Sequence, residues 1–536
     1  MLSRFFTSLL SQAALVPLQQ VAFRMLWTAW LIANVSMAMS DVASAWLMTT
    51  MTTSPMMVAL VQTASTLPVF LIGIGSGALA DIVDRRRYFA ATQLWVACIG
   101  MLIAILAFSG LLNPPLLLLL TFLNGVGLAL RWPVFSAIIP EVVGRSNLPQ
   151  ALALSAISMN LSRVVGPVVA GALIAGIGGG AVFTLNAIMA LVAFYLIIRW
   201  KSTPKKSPLP GERFFGAMRV GLQHVRQSPR MRVVLIRIFM YFFQSTCLMA
   251  FLPLVAKSLS HGKYGDGPGM FTILLACMGV GAVATALSFP YFRERYTRDG
   301  FVRYGTWGHA ITSVLIVLVP EVWVVIPAMI LLGTAWISAA NSLSLSAQMA
   351  LPNWVRARGM SVYQMALMGG AALGSLFWGQ VAEHSSIQIA VIAAAALGVL
   401  FVTCTHSMSV DGGEDVDFTP VQSASIAEPV VAVEPDDGPV MVTVEYEVDP
   451  SRAAEFKALM EETRQARLRL GVLSWELLRD AAHEGRYVEY FLDESWVEHL
   501  RRQERFTASD VELRDRRLAF QLSGEAPKVS RYIVQT

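Results

Sequence analysis

Residues 20 to 406 are dominated by about a dozen apolar runs, each near the length of a bilayer crossing and each cut off by Pro, Gly or a short charged loop. A hydrocarbon core about 30 Å thick needs roughly 20 apolar residues per helical crossing. In lipid the backbone N–H and C=O groups must be satisfied within the segment, so such runs can only be helices. Overall composition agrees, with 55% apolar residues, 14% charged residues and a mean hydropathy of +0.57. That profile excludes an ordinary soluble enzyme.

Six spans are expected near 22–47, 56–80, 89–110, 115–139, 150–177 and 181–199. Six more are expected near 232–257, 269–291, 301–319, 322–349, 358–382 and 387–406. One set of connecting loops, beginning with Arg85, Arg86 and Arg87, carries nineteen Lys and Arg, whereas the opposite set carries only Lys257 and Lys263. The positive-inside rule therefore places the basic loops and both termini in the cytoplasm, in a cell inner membrane. These loops also account for the net charge of +5 without any nucleic-acid partner. The first twenty residues lack a signal-cleavage pattern and read as a cytoplasmic lead-in. Cys98, Cys247, Cys277 and Cys404 all fall within spans and show no metal or disulfide spacing.

The fifth and eleventh spans share small residues at a fixed offset. Gly166 and Gly374 are 208 residues apart, and so are Gly171 and Gly379. Small residues let helices approach closely, and internal repeats of this kind mark two six-helix bundles around a central pathway. The expected domains are a lead-in (1–20), a first bundle (21–200), a basic linker (201–231) and a second bundle (232–408). An acidic tether (409–438) and a soluble domain (439–536) follow. The tether carries eight acidic residues and no Lys or Arg, a composition that cannot build a core. Beyond it, a strand-like PVMVTVEYEV, a helix ending at Gly471, a hairpin around AAHEG, a second helix and a last strand give β-α-β-β-α-β, the ferredoxin-like order. The fold class is an all-α membrane protein of twelve helices with a small α+β tail.

Ionisable groups inside spans are costly and mark function. Arg163 is the deepest basic group, roughly 20 Å from the cytoplasmic end of its helix at 1.5 Å per residue. Arg131 lies nearer that surface. Asp41, in the first span, suits a proton carrier or a partner for a cation. Asn124 and Asn160 join Asn34, Gln62 and Asn186 as polar residues for a cavity or for helix pairing. In the tail, His483, His499, Trp475 and Trp496 are conceivable site residues, but no nucleophile, metal or cofactor pattern accompanies them.

The turn Gly77-Ala78-Leu79-Ala80-Asp81-Ile82-Val83-Asp84-Arg85-Arg86-Arg87, the span count and the repeat resemble the major facilitator superfamily across residues 20 to 406. FRMLW, AWLMTTMTTSPMMVALVQTASTLPVF and GALADIVDRRR look like its enterobactin-exporter-like, or transmembrane secretion effector, subfamily. The resemblance implies a conformational latch at Gly77, Asp81, Arg85 and Arg86, while Ile82 and Asp84 depart from the family pattern. It also implies a fourth-span motif, met here by Thr121, Asn124, Gly125 and Gly127 without its arginine. The exporter-associated fifth-span pattern is met by Ala153, Ser162, Gly166-Pro167 and Ala170-Gly171. The tail is similar to antibiotic-biosynthesis-monooxygenase-type domains, which often pair as dimers.

The resulting expectation is a secondary active exporter of a small amphipathic molecule, siderophore-like or drug-like, working by alternating access with proton antiport. No cofactor, metal or catalytic residue is expected. The partners are the solute, protons, the lipid bilayer and, through the tail, a second copy. Two alternatives stay open: a membrane-tethered enzyme, and a sensor acting through the tail.

Overall fold

The computed structural model describes residues 12–143, 147–200, 214–260, 267–293, 295–352, 354–411, 417, 419, 421, 431–522 and 526–535. The chain divides into two compact units. The first comprises residues 1–205, 233–346 and 361–411, and the second residues 206–232, 347–360 and 412–536.

The helices in chain order are α1 (Gln12–Gln19), α2 (Val21–Met51), α3 (Pro55–Ile82), α4 (Arg85–Phe108), α5 (Pro114–Val143), α6 (Leu148–Gly176) and α7 (Gly179–Arg199). Next come α8 (Phe214–Gln227), α9 (Pro229–Leu259), α10 (Gly267–Arg293), α11 (Arg298–Leu318), α12 (Val322–Met349), α13 (Arg356–His384) and α14 (Ile387–Cys404). Local chemistry sets several starts. Ser54 accepts the Met57 N–H at 3.3 Å with Pro55 opening α3, Asp84 accepts the Arg87 N–H at 3.0 Å, and Thr297 and Ser386 cap α11 and α14. Gly178, at φ +102°, turns the chain between α6 and α7.

Among the described residues, eleven helices are long and apolar enough to cross a membrane. Helix α11, where the ninth span is expected, has 21 residues but opens with Arg298, Asp299 and Arg303 and is not among the eleven.

Close packing in the first unit follows the repeated glycines. A Cβ on Gly166 would stand 2.5 Å from the Ala38 Cβ of α2, and a Cβ on Gly374 would run into the Phe243 carbonyl of α9. Gly171 would overlap Thr272 of α10, and Gly379 would come within 2.9 Å of Ala59 on α3. Thus Gly166 and Gly374 seat α6 on α2 and α13 on α9, while Gly171 and Gly379 seat α6 on α10 and α13 on α3. Around these contacts one apolar core runs through Met39, Phe183, Phe251, Leu274, Met329 and Trp378.

The second unit contains a four-stranded antiparallel sheet of order β2-β3-β1-β4, formed by β1 (Val440–Glu447), β2 (Ser474–Arg479), β3 (Arg486–Asp493) and β4 (Lys528–Ile533). Central β1 pairs Val442 with Phe491 of β3 and with Arg531 of β4. Helix α15 (Ala453–Leu470) ends at Gly471, φ +106°, as its Gly stop predicts, and α16 (Trp496–Glu504) and α17 (Ala508–Leu518) stand where one helix is expected.

Residues 201–213 of the expected linker lie outside the described residues, but the remainder is helical. Helix α8 buries Val220, His224 and Val225 and leaves Leu222 exposed. Gln223 donates to the Val472 carbonyl at 2.8 Å and Arg219 pairs with Glu494 at 2.8 Å. The basic residues conceal an amphipathic helix with a partner face. Of the expected tether, 412–416, 418, 420 and 422–430 lie outside the described residues. The carbonyls of Asp417 and Thr419 accept from the Ser509 and Ala508 N–H groups at the start of α17. Residues 1–11 of the lead-in also lie outside the described residues.

Two buried carboxylates anchor the tail. Glu489 accepts from Arg467 at 2.9 Å, Trp475 at 3.0 Å and Tyr446 at 3.0 Å. Asp493 meets His499 at 2.7 Å and Arg502 at 3.0 Å. Burial alone would raise both acids, but Arg467 and Arg517 around Glu489, and Arg502 and His499 around Asp493, hold each at about 2.

Gly166→Leu is expected to cost about 1–3 kcal/mol through overpacking, whereas Gly75→Leu, with nothing within 4 Å of its Cβ, should be near neutral. Thermal unfolding of the detergent-purified protein distinguishes them. Because both tail acids are depressed in the folded state, their stabilisation is complete above the ordinary carboxylate range and disappears as pH falls from about 4 toward about 2. Hydrogen exchange of β1 and β3 amides in the intact protein should accelerate across that window, and unchanged protection there would contradict the assignment.

Candidate functional site

Four helices of the first unit enclose a polar cavity. Helix α2 contributes Ala33, Ser36, Met37 and Asp41, α3 contributes Ser65, α4 contributes Gln93 and Val96, and α5 contributes Asn124, Gly125, Leu128 and Arg131. The helical period explains the grouping: Ala33, Met37 and Asp41 recur every fourth residue, and Asn124, Leu128 and Arg131 recur at steps of four and three. Gly125 permits the approach of α3, since a Cβ there would meet the Ser65 carbonyl at 2.7 Å. About 20 Å³ is open to the centre of a water molecule, room for one or two waters.

Arg131 is 3% exposed. Its Nη2 donates to Asn34 Oδ1 at 3.4 Å and lies 3.6 Å from the Met37 sulfur, and its guanidinium sits 5.1 Å from the Trp30 ring centroid. Trp30 in turn stacks on Phe135. Asn34 is oriented by donating to the Trp30 carbonyl at 2.9 Å. Asp41 is the opposite charge acting on Arg131 across the cavity. Two further polar atoms here, Asn124 Oδ1 and Arg131 Nε, have no hydrogen-bond partner among the described residues. Buried atoms in that condition are costly and receptive to water, a proton carrier or a polar ligand.

Of the sequence-derived candidates, Asp41, Asn124 and Arg131 are therefore brought together. Arg163 is not: it is exposed, with its guanidinium 4.8 Å from the Trp336 ring of α12. Asn160 lies one turn before it on α6, also outside the cavity lining. Asn186 staples α7 to α2, donating to the Ser36 carbonyl at 3.0 Å and to Ser40. Arg85 and Arg86 open α4, and Arg86 donates to the Ile198 carbonyl. Gly77 and Asp81 lie outside the residues whose side chains the structure describes. In the tail, His499 is fully buried against Asp493, while exposed His483 pairs with Asp480 at 3.4 Å. These histidines form no common site. Sequence reasoning missed Gln93 and Ser65; Gln93, an amide within an otherwise apolar stretch of α4 and only 1% exposed, was the available signal.

One end of the first unit is clasped. The Glu383 carboxylate accepts from the Ser54 hydroxyl at 2.7 Å and the Met56 N–H at 3.1 Å, while Lys257 donates to the Thr49 carbonyl at 3.1 Å. Deeper, Thr63 and Ser375 share a hydrogen bond of 2.8 Å.

The family pattern described as transmembrane secretion effector matches residues 12–536. The chain belongs to that family. This chain is 24% identical over 251 residues to macrolide efflux protein A of Streptococcus pyogenes, covering 45% of this chain and 60% of that protein. It is 21% identical over 246 residues to the staphyloferrin A transporter of Staphylococcus aureus, covering 46% and 61%. With the enterobactin exporter EntS of Shigella boydii it shares 31% identity over 207 residues, covering 36% and 49%. The matched part of the chain thus spans about half to three fifths of the length of these relatives.

In fold it is similar to the nucleoside transporter NupG, with a TM-score of 0.58 at 14% identity, covering 72% of this chain and 98% of that one. It is likewise similar to an inward-facing bacterial homologue of the lysosomal transporter Spinster, with a TM-score of 0.56 at 16% identity, covering 73% and 96%. The chain is a multi-pass membrane protein with a transporter-like fold.

Asn34→Ala leaves the Arg131 guanidinium without its amide acceptor and should lower stability by about 1–3 kcal/mol. Arg131→Met strands the Asp41 carboxylate without its opposite charge and should cost more, about 3–5 kcal/mol. Thermal melts of the two variants decide, and an unchanged melt for Asn34→Ala would show that Asn34 does not hold Arg131.

Proposed function

We propose that this protein is a secondary active exporter of a small amphipathic molecule, built from two six-helix bundles that make twelve crossings of the inner membrane. Both termini face the cytoplasm. The observation that carries the reading is the cavity in which Asp41 and Arg131 face one another among apolar helices. A proton on Asp41 would cancel its attraction for Arg131, so proton occupancy and the arrangement of the site are linked. Alternate loading by proton and solute is the logic of an antiporter.

The clasp at Glu383 joins the ends that the positive-inside rule assigns to the outside. The described state is then closed outward. Its cavity admits water or a proton but is far too small for a macrolide or a siderophore, so the solute needs a state with the halves rocked apart. Relatives named for macrolide, staphyloferrin and enterobactin support a bulky, polar-rimmed solute. We read the tail as a ferredoxin-like domain, because strand order β2-β3-β1-β4 and its helices fit that arrangement, and we assign it a regulatory or dimerising role.

In proteoliposomes loaded with a macrolide or a catecholate siderophore, an imposed pH gradient should drive flux. Asp41→Asn should abolish the response to the gradient, and Arg131→Met should reduce flux at least tenfold. Flux indifferent to the gradient in the unaltered protein would defeat proton coupling.

A further inference from the structure

The second unit holds a basic pocket that none of the transport reasoning uses. Three stretches of chain far apart in sequence meet there: the end of α8, the residues Ala350, Pro352 and Trp354, and the tail around Arg469 and Arg505–Asp510. Trp354 is its centre. The Arg505 guanidinium lies 5.0 Å from that ring and His224 packs edge-on at 5.4 Å, while the indole Nε1 is buried with no hydrogen-bond partner among the described residues.

The positive charge of Arg469 is poorly matched here. Arg505 is shared between Glu498 at 2.8 Å and the Leu470 carbonyl at 3.0 Å. Arg469 has no ion pair among the described residues, and the opposite charge that acts on it, Asp510, is committed to the Thr507 N–H and hydroxyl at 3.0 and 2.7 Å. Burial disfavours the charged form of Arg469 and pushes the His224 imidazole down to about 4. The Arg469 and Arg505 guanidiniums would gain from an anion, while the neutral His224 imidazole lines the wall. The first N–H groups of α17 are already taken by the Asp417 and Thr419 carbonyls, so the attraction comes from side chains. Space for water centres is about 20 Å³ within some 360 Å³ that includes the open mouth. One or two oxygens of an oxyanion enter that space while the rest of the group stays at the mouth.

We propose that this pocket binds a phosphate group, held by Arg469 and Arg505 with the Trp354 indole N–H as a further donor. Phosphate suits the site because its several acceptor oxygens match a guanidinium fork plus a separate N–H, which a carboxylate engages less completely. The phosphate belongs either to a free small molecule or to a lipid headgroup. Its position is regulatory by connectivity, since His224 lies just ahead of α9 and Trp354 just ahead of α13.

The test uses full-length protein and inorganic phosphate as probe, with calorimetry at constant ionic strength. Saturable binding is expected, weakened at least tenfold by Arg469→Gln and several-fold by Trp354→Phe, which keeps the ring and removes the N–H. Arg516→Gln, on the exposed side of α17, should have no effect. Should Arg469→Gln fail to fold, Trp354→Phe alone decides. Repeating the titration in nanodiscs separates the sources: phosphate displaced by anionic phospholipid assigns the site to a headgroup, and phosphate bound equally in anionic and phosphatidylcholine discs assigns it to a soluble ligand. Absence of binding with no protection by anionic lipid against thermal unfolding, or binding untouched by the Arg469 and Trp354 variants, overturns the proposal.

Discussion

A guanidinium buried among apolar helices must be met by acceptors, aromatic faces or an opposite charge, because isolated burial costs more than a fold can absorb. Arg131 imposes that demand, and α2 answers it with one stripe. Trp30, Asn34, Met37 and Asp41 follow the helical repeat, so fixing the rotation of α2 on Arg131 fixes all four. The same rotation turns Ser36 and Ser40 toward Asn186 of α7 and Ala38 toward Gly166 of α6. One helix therefore serves charge satisfaction on one side and close packing on another. A one-residue slip would lose both.

Comparable economy appears in the second unit, where α8 depends on contacts supplied by the tail. Arg219, Gln223 and His224 reach Glu494 and the carbonyls of Val472 and Arg469. Gly471, needed to end α15, also leaves room for Val220, which would stand 2.8 Å from any Cβ placed there. The tail is consequently more than a domain hung on an acidic tether. It shares its packing with residues that lead into long helices of the other unit's sequence.

Membrane helices were legible in the sequence because length and hydropathy are one-dimensional quantities, and the glycine repeat was legible because its spacing survives. Asp41, Asn124 and Arg131 could be nominated as costly polar residues, and α2 and α5 bring them together. Arg163 could be nominated on the same ground, yet its exposed position beside Trp336 depends on the facing of α6 relative to α12, which depth along a helix does not specify. Helix α8 was hidden because charge dominates its composition, whereas its buried stripe is only three or four residues wide. The pocket at Trp354 was beyond reach, since it needs three segments separated by more than a hundred residues to converge. A buried histidine such as His499 reads like a site residue until Asp493 and Arg502 are seen to consume its bonding capacity.

The contacts that tie α3 to α13 and α6 to α10 differ in kind. At the clasped end they are hydrogen bonds from Ser54 and Met56 to an exposed Glu383 carboxylate, each worth about 1 kcal/mol net when water competes. At Gly171 and Gly379 they are close, dry approaches of helix surfaces, where separation forfeits dispersion over many atoms at once. Separating the clasped end therefore costs less than separating the glycine contacts. Small residues stand at matching positions of the two repeats because the approaches there leave no room for a Cβ.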